Sequence, residues 1–265
     1  MKISTNLIKK LRMITGIGIL DCKKALLKKN GDIHSSIDYL RKKGKSKALN
    51  KLSRKTFQGS IFSGVKKNFG VLLELNCETD FVAKHENFIN FGNKIIQTSL
   101  EKNIEKLDFL KNFFESERAS LVSIIGENIK ISRFLVLKGK FIHSYLHRSR
   151  IGVLLQSNSN DELLNKNISM HIAASKPLYL NPESVPKEII LREQNIQLSM
   201  SKQTGKPDSI LKKIVLGRMK KFFSEITLIK QSFILDQKKT VEDFLLENNI
   251  ILKNFIRFEV GEIKI

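Results

Sequence analysis

The tetrapeptide GVLL occurs twice in the chain, at 70–73 and again at 152–155. Each copy follows a basic turn and precedes a polar loop and an amphipathic helix. One shared tetrapeptide is weak evidence, but the shared order of strand, loop and helix constrains the fold more strongly. It predicts two related subdomains, each with a small sheet backed by helices, and therefore an α+β fold.

Apolar and alternating runs place the elements of these subdomains. Strands are predicted within 60–64, 70–77, 132–139, 141–148, 151–158 and 255–260, the first two as a hairpin. Helices are predicted around Phe88, Phe91 and Ile95, over 105–124, and from Asp161 to Ser175. The segment TVED at 240–243 resembles a capping box and predicts a short helix. The last strand, 255–260, is expected to join one of the earlier sheets.

Both flanking regions have helical patterns. Residues 1–44 predict three short helices, with Gly44 as the stop of the third. So small a unit has a thin core and is typical of a docking module rather than an enzyme. Residues 187–223 predict an antiparallel helical pair, with Gly205 and Pro207 as the breakers between its arms.

These patterns define five segments. The predicted domains are a three-helix docking module at 1–44, a basic linker at 45–58, core subdomain N at 59–140, core subdomain C at 141–186 plus 227–265, and a helical hairpin at 187–226.

Positive charge is concentrated near the N-terminus. The net charge is +21 over 265 residues, and residues 1–55 hold 16 Lys/Arg against 3 Asp/Glu. The segment 41–55 contains eight basic residues and no acidic one. Such a run is typical of a surface that contacts nucleic acid or an acidic protein. A solvated linker in a Lys-, Asn- and Ile-rich chain explains it equally well.

Targeting signals and cysteine content indicate the compartment. No apolar stretch approaches the roughly 18 residues of a membrane helix, and the N-terminal MKISTNLIKKLRM lacks the apolar core of a signal peptide. Only Cys22 and Cys77 occur, which fits a reducing compartment and argues against a disulfide frame or a zinc site. A cytoplasmic protein without membrane contact is expected.

The sequence carries no motif for bond chemistry. GKP at 205–207 lacks the rest of a phosphate loop, and GIG at 16–18 follows a helix rather than a strand. His143 and His147 are four residues apart, but a strand does not make them neighbours, and no histidine pair has metal-ligand spacing. RNP, KH and zinc-finger signatures are missing, so basic charge supports only weak or indirect nucleic-acid contact. We therefore expect a binding protein without a cofactor or metal, not an enzyme.

Six segments, in order from residue 7 to about 262, match a single family. They are LRMITGIGILDCKKAL (11–26), NCETDFVAKHENF (76–88), SRIGVL (149–154), HIAASKP (171–177), GRMKKF (217–222) and FIRFEVGE (255–262). Through them the chain resembles the bacterial elongation factor Ts family, the guanine-nucleotide exchange factors of elongation factor Tu. The resemblance implies an N-terminal module of ubiquitin-associated type, two related α+β subdomains and a protruding helical hairpin. It also implies binding to the GDP form and the nucleotide-free form of elongation factor Tu.

The resemblance assigns roles to particular residues. Those implied in displacing Mg²⁺ from the partner GTPase are Asp80, Phe81, Val82 and Ala83, with the Phe81 ring as a wedge between partner helices. Those expected to bind the partner are Arg12, Ile19, Leu20 and Lys23 in the N-terminal module and His147 in the second subdomain. Ile19 and Leu20 stand where many members carry Met-Met, so docking is expected to be retained with less adaptable packing.

Several alternatives stay open at this point. Periodicity alone favours Phe81 as an anchor under the following helix, because it lies seven residues before Phe88, whereas the resemblance turns the ring outward. The chain ends at GEIKI where many family members continue into a C-terminal helical module, which implies weaker binding with retained exchange. The alternative function is a basic RNA- or ribosome-associated binder that uses 41–55. The helical hairpin also leaves a homodimer possible.

Overall fold

The protein combines helices with small antiparallel sheets, the α+β architecture that the repeated strand–loop–helix order predicts. The computed structural model describes residues 3–203 and 207–262. The helices are α1 (Thr5–Thr15), α2 (Ile19–Lys28), α3 (Ile33–Lys51), α4 (Asp80–Ala83), α5 (Glu86–Lys102), α6 (Leu107–Ile125), α7 (Glu162–Ser175), α8 (Lys187–Lys202), α9 (Asp208–Ile226) and α10 (Val241–Glu247). The strands are β1 (Gln58–Lys66), β2 (Phe69–Cys77), β3 (Lys130–Lys138), β4 (Phe141–His147), β5 (Ile151–Ser157), β6 (Ser232–Phe233), β7 (Asp236–Thr240) and β8 (Leu252–Glu259).

The first three helices pack around a small core of their own. Ser4 caps α1 by accepting a hydrogen bond from the Leu7 N–H at 3.2 Å, and Gly16 ends it in the left-handed conformation with φ 66°. Asp32 caps α3 by accepting a hydrogen bond from the Ser35 N–H at 2.6 Å. The buried apolar residues of this small core are Ile8, Leu11, Ile17, Cys22, Ala25, Leu26 and Leu40.

The third helix is longer than the sequence predicts. It continues through Gly44 to Lys51, so the prediction of Gly44 as a helix stop is wrong, and much of the expected linker at 45–58 is helical. Packing explains the difference, because α3 lies against α6 and a Cβ on Gly44 would come within 2.6 Å of Ser123 Oγ. Because Gly44 has no side chain, α3 can approach α6 closely, and this packing outweighs the poor helix propensity of glycine.

The first sheet has the strand order β1-β2-β3 and is antiparallel throughout. The central strand β2 is buried along its whole length. Its side chains alternate between two faces, and Val71, Leu73 and Leu75 join the core formed with α5 and α6. The phenylalanines of that core are Phe62, Phe69, Phe88, Phe91, Phe114 and Phe134.

The second sheet has the order β4-β5-β8, so the predicted strand at 255–260 does join an earlier sheet. Val153 and Leu155 of β5 face α7, where they meet Ile168 and Ile172. The capping box at 240–243 is confirmed, with Thr240 and Asp243 bonded reciprocally at the start of α10. The small β6–β7 hairpin was not predicted from the sequence.

The two GVLL copies pack back to back between the sheets. Leu72 and Leu154, the third residue of each copy, lie in one shared apolar cluster. A Cβ on Gly70 would come within 2.7 Å of Ile142, and a Cβ on Gly152 would come within 2.8 Å of Leu72. Each glycine therefore makes room for the opposite sheet, which gives the repeated tetrapeptide a structural reason.

The helices α8 and α9 pack side by side as the predicted pair. Arg218 donates to the side chains of Gln197 and Ser201 across the pair. Gly205, one of the two expected breakers, lies outside the described residues. Apolar side chains such as Leu191 and Leu216 stay exposed on this hairpin. None of the helices in the described ranges is long and apolar enough to cross a membrane.

Candidate functional site

A one-turn helix follows closely after β2, the strand that is buried along its whole length. Where β2 ends at Cys77, Thr79 takes the N-cap position and its hydroxyl accepts from the Val82 N–H at 3.4 Å. The turn α4 then carries all four residues for which the resemblance implies a role in Mg²⁺ displacement. The local sequence favours this geometry, because threonine is a good N-cap and an acid in the first turn suits the helix dipole.

The ring of Phe81 lies in solvent. Its exposed fraction is 81%, whereas its neighbour Val82 is only 8% exposed. Successive residues of a helix point about 100° apart, so one turn can bury one of them and expose the next. The interpretation from periodicity, in which Phe81 anchors the helix of Phe88, is therefore wrong, since Val82 occupies the inward position.

The other two residues of the turn divide in the same manner. Asp80 is exposed and forms a surface ion pair with Lys84 at 3.3 Å. Ala83 packs against the core, and its carbonyl accepts from the Ser60 hydroxyl at 3.4 Å. Asp80 and Phe81 thus form the outward half of α4, and Val82 and Ala83 form the half that fixes it to the protein.

A carboxylate from a distant loop holds the start of α4. Glu127, in the loop after α6, accepts from the Thr79 N–H at 3.0 Å and from its hydroxyl at 2.8 Å. The adjacent Glu78 accepts from the Asn128 N–H at 2.7 Å, so the two loops are bonded in both directions. Sequence reasoning missed Glu127 and Asn128, because nothing in the pattern pairs residues separated by 48 to 50 positions.

The end of α3 joins the same group of contacts. Lys51 Nζ donates to the Gly126 carbonyl, and the Arg54 guanidinium lies 3.4 Å from Glu78. Farther up the helix Lys43 pairs with Asp21 at 3.0 Å. Some basic side chains of the run 41–55 are therefore used in contacts within the protein, although Arg41 and Lys42 are exposed.

Cys77 lies beneath this turn and is kept as a thiol. Its Sγ donates to the Thr79 carbonyl at 3.1 Å. Burial, assisted by the nearby negative charge of Glu127, raises the pKa of the Cys77 thiol to about 12. Its role is packing and hydrogen bonding rather than nucleophilic chemistry.

The N-terminal module presents an apolar surface at the turn between α1 and α2. Ile19 and Leu20 are exposed, Leu20 to 74%, and the candidate basic residues Arg12 and Lys23 are exposed beside them. Met13 is also exposed, at 87%, and the sequence reasoning did not single it out. The position of Met13 just before the glycine turn was the sequence signal that could have indicated its exposure.

A shared groove connects the module to α4. Gly16, Phe81, Ile124 and Glu127 all line it. The structure therefore brings the glycine turn of the N-terminal module beside the exposed ring.

His147 lies elsewhere, at the end of β4 in the second sheet. It is exposed, and its Nδ1 is 3.1 Å from the Tyr145 hydroxyl. Arg148 and Ser149 follow in the left-handed conformation, with φ 49° and 55°, and make the tight turn into β5. The Ser149 carbonyl accepts from the Ile61 N–H at 2.7 Å, which ties this turn to the first sheet.

Metal ligands do not gather in the described part of the chain. Within residues 3–203 and 207–262, no group of three or more His, Cys, Asp or Glu could hold a metal ion. The buried His171 is a packing residue. Its Nδ1 accepts from the Ile234 N–H at 3.2 Å, so its Nε2–H donates to Gln231 Oε1 at 2.9 Å. Burial lowers the pKa of this imidazole and keeps it neutral.

Comparisons with known proteins point to one family. A family model described as "Elongation factor TS" matches residues 78–262. A protein named "Elongation factor Ts" from Buchnera aphidicola subsp. Acyrthosiphon pisum (strain 5A) is 54% identical over 261 residues, which cover 98% of this chain and 97% of that protein. A protein of the same name from Yersinia pestis (strain Pestoides F) is 50% identical over 262 residues, covering 98% and 92% respectively.

Proposed function

Since the chain belongs to the elongation factor Ts family, we propose that it is the guanine-nucleotide exchange factor of elongation factor Tu in translation elongation. In this proposal it binds elongation factor Tu·GDP, displaces Mg²⁺ and promotes GDP release. It acts by binding alone and makes or breaks no bond.

The observation that carries the proposal is the exposed ring of Phe81 on a fixed turn. Among the described residues Phe81 has the most exposed aromatic ring, at 81%, and burial of so large an apolar group is favourable. Here Val82 and Ala83 hold the turn to the core while the neighbouring ring stays outside. A partner that offers an apolar crevice would gain that burial without having to order the loop first.

Exchange follows if the crevice opens only when the nucleotide site is disturbed. Mg²⁺ requires near-ideal octahedral geometry, so a small displacement of the partner elements around it weakens its binding. Loss of the ion leaves the phosphates of GDP less well neutralised. An exchange factor must bind the nucleotide-poor state more tightly than the GDP state, and that ratio of affinities sets how far the equilibrium moves.

Further contacts would hold the partner in register with the ring. The exposed apolar residues Ile19 and Leu20, flanked by Arg12 and Lys23, offer a docking surface beside the shared groove. His147 would reach another part of the partner from the second subdomain. A homodimer through α8 and α9 stays a prediction, as does a role for 41–55 in binding RNA or the ribosome.

Release of labelled GDP tests the proposal directly. Elongation factor Tu from the same source is loaded with fluorescent GDP, and its release is followed after adding this protein with excess unlabelled nucleotide. Micromolar protein is expected to accelerate release strongly, and added Mg²⁺ is expected to slow it. An unchanged release rate would refute the exchange function. In that case RNA binding that weakens steeply with salt would favour the alternative.

A further inference from the structure

The turn α4 is too short to be stable without support. Its four residues make barely one helical turn, and a single turn in isolation is unfavourable because several backbone dihedrals are fixed for one hydrogen bond. Burial of Val82 and the packing of Ala83 against the core anchor its far end. Its near end at Thr79 emerges from a strand and needs a partner of its own.

Glu127 is that partner, and its contacts are of the strong kind. One carboxylate receives both the backbone N–H and the hydroxyl of Thr79, at 3.0 Å and 2.8 Å. Hydrogen bonds to an ionised acceptor are stronger than neutral ones. Because the Thr79 hydroxyl also accepts from Val82, the carboxylate orients the group that caps α4.

The helix that follows the second GVLL copy has an N-cap at the position corresponding to Thr79, but no distant carboxylate among the described residues supports it. There Asp161 caps α7, and its N–H donates to the Ser159 hydroxyl only two residues earlier, at 3.1 Å. That helix has 14 residues and does not depend on a distant support. The first copy instead ties its cap to a loop 48 residues away.

The loop that carries Glu127 is itself fixed. Asn128 donates its N–H to Glu78 at 2.7 Å and its side-chain amide to the Arg54 carbonyl at 3.1 Å. Lys51 bonds the Gly126 carbonyl from the end of α3. The loop that carries Glu127 is therefore also held by residues at and just after the end of α3.

We propose that Glu127 is a positioning residue for nucleotide exchange: acting through Thr79, it holds α4 so that the Phe81 ring meets the partner GTPase in one orientation. This inference rests on the proposed function. A ring on a loosely held turn would still be apolar and exposed, but part of its burial energy would be lost in ordering the turn during binding.

The test compares GDP release for the unmodified protein, Glu127→Ala, Phe81→Ala and the double variant. Losing two charge-assisted bonds to the cap is expected to lower the release rate at saturating protein by about 10-fold. In the Phe81→Ala background, Glu127→Ala is expected to cause no further loss, because no ring remains to be positioned. A residue with a merely structural role would lower the rate by the same factor in both backgrounds.

Two more variants complete the design. Glu127→Gln keeps the shape of the side chain and is expected to show a smaller loss, so it carries the test if Glu127→Ala does not fold. Glu105→Gln is the matched control, because Glu105 makes only an exposed ion pair with Lys138 at 2.6 Å. This variant is expected to accelerate GDP release from the partner as strongly as the unmodified protein does.

The outcomes separate the two proposals. If the unmodified protein does not accelerate GDP release from the partner, the proposed function is refuted and this inference with it. If it accelerates release and the Glu127 variants match it, only the positioning role is overturned. Equal losses in both backgrounds would also overturn it.

Discussion

Phe81 and Val82 are neighbours in α4 with opposite surroundings, so truncating each to alanine separates function from stability. Phe81→Ala removes a ring that is 81% exposed, and a surface change of this kind is expected to alter the free energy of unfolding by less than about 0.5 kcal/mol. Val82→Ala removes two methyl groups from a residue that is 8% exposed. At about 0.8 kcal/mol per buried carbon plus a cavity term, the cost is about 2 kcal/mol.

The effect on exchange is expected to have the opposite order. Fully burying a phenylalanine contributes about 2 kcal/mol, and nearly all of it is still available to a partner because the ring is free in this protein. That energy corresponds to about 30-fold in the efficiency of GDP release. Val82→Ala is expected to retain more exchange than Phe81→Ala when both are assayed well below their melting temperatures.

Thermal melting and labelled-GDP release, measured on the same preparations, check both halves. Val82→Ala is expected to lower the melting temperature by roughly 4–8 °C, and Phe81→Ala to leave it unchanged. A drop of several degrees for Phe81→Ala would show that the ring is a core residue. Unaltered GDP release by Phe81→Ala would show that the ring does not act in exchange.

Three further predictions concern buried positions of the fold. His171 is buried with its pKa lowered, so the stability that it contributes is present above the ordinary histidine pKa of about 6.5 and is lost as the pH falls below it. Urea unfolding should therefore give a lower free energy of unfolding at about pH 5 than at about pH 7.5, and His171→Gln should reduce this difference. Cys77 has its pKa raised to about 12, so the native thiol should resist alkylation near neutral pH and react once urea exposes it. The free energy of unfolding should also fall as the pH rises from about 9 towards 12, because the Cys77 thiol ionises in the unfolded chain over this range but not in the folded protein. Gly152→Ala would place a Cβ 2.5 Å from Ile61 and should cost about 1–3 kcal/mol of unfolding free energy, whereas Gly217→Ala, with open space around it, should be neutral or slightly stabilising.

Sequence periodicity was sufficient wherever a regular element buries one face. The strands around both GVLL copies, the helices at 86–102 and 162–175 and the capping box at Thr240 all lie close to their predicted places. In each of them the apolar spacing and the local cap agree, so local and tertiary preferences point in the same direction.

Prediction from the local pattern failed where the role of a residue depends on another element. Gly44 has the appearance of a helix stop, but its lack of a side chain serves the approach of α6. Phe81 has the spacing of a core residue, yet the adjacent Val82 fills the inward position. The outward orientation of the Phe81 ring, which the resemblance implies, is the one that the structure has. Glu127 gives no signal at all, because its hydrogen bonds to Thr79 depend on how two loops meet in three dimensions. Periodicity describes the faces of single elements and carries no information on such meetings.

The back-to-back packing of the two GVLL copies makes this single chain equivalent to an isologous dimer. Gly70 faces Ile142 and Leu154 of the second copy, and Gly152 faces Ile61 and Leu72 of the first, the reciprocity that a two-fold axis produces. Counting from these glycines, the position of Phe81 corresponds to that of Leu163, the second residue of α7 and also exposed.

A true homodimer would have to present the same side chain at both positions and brace both in the same way. Because both copies belong to one chain, the two positions can differ in sequence. One position carries Phe81 on a short turn that is held by Glu127, and the other carries Leu163 on the 14-residue helix α7.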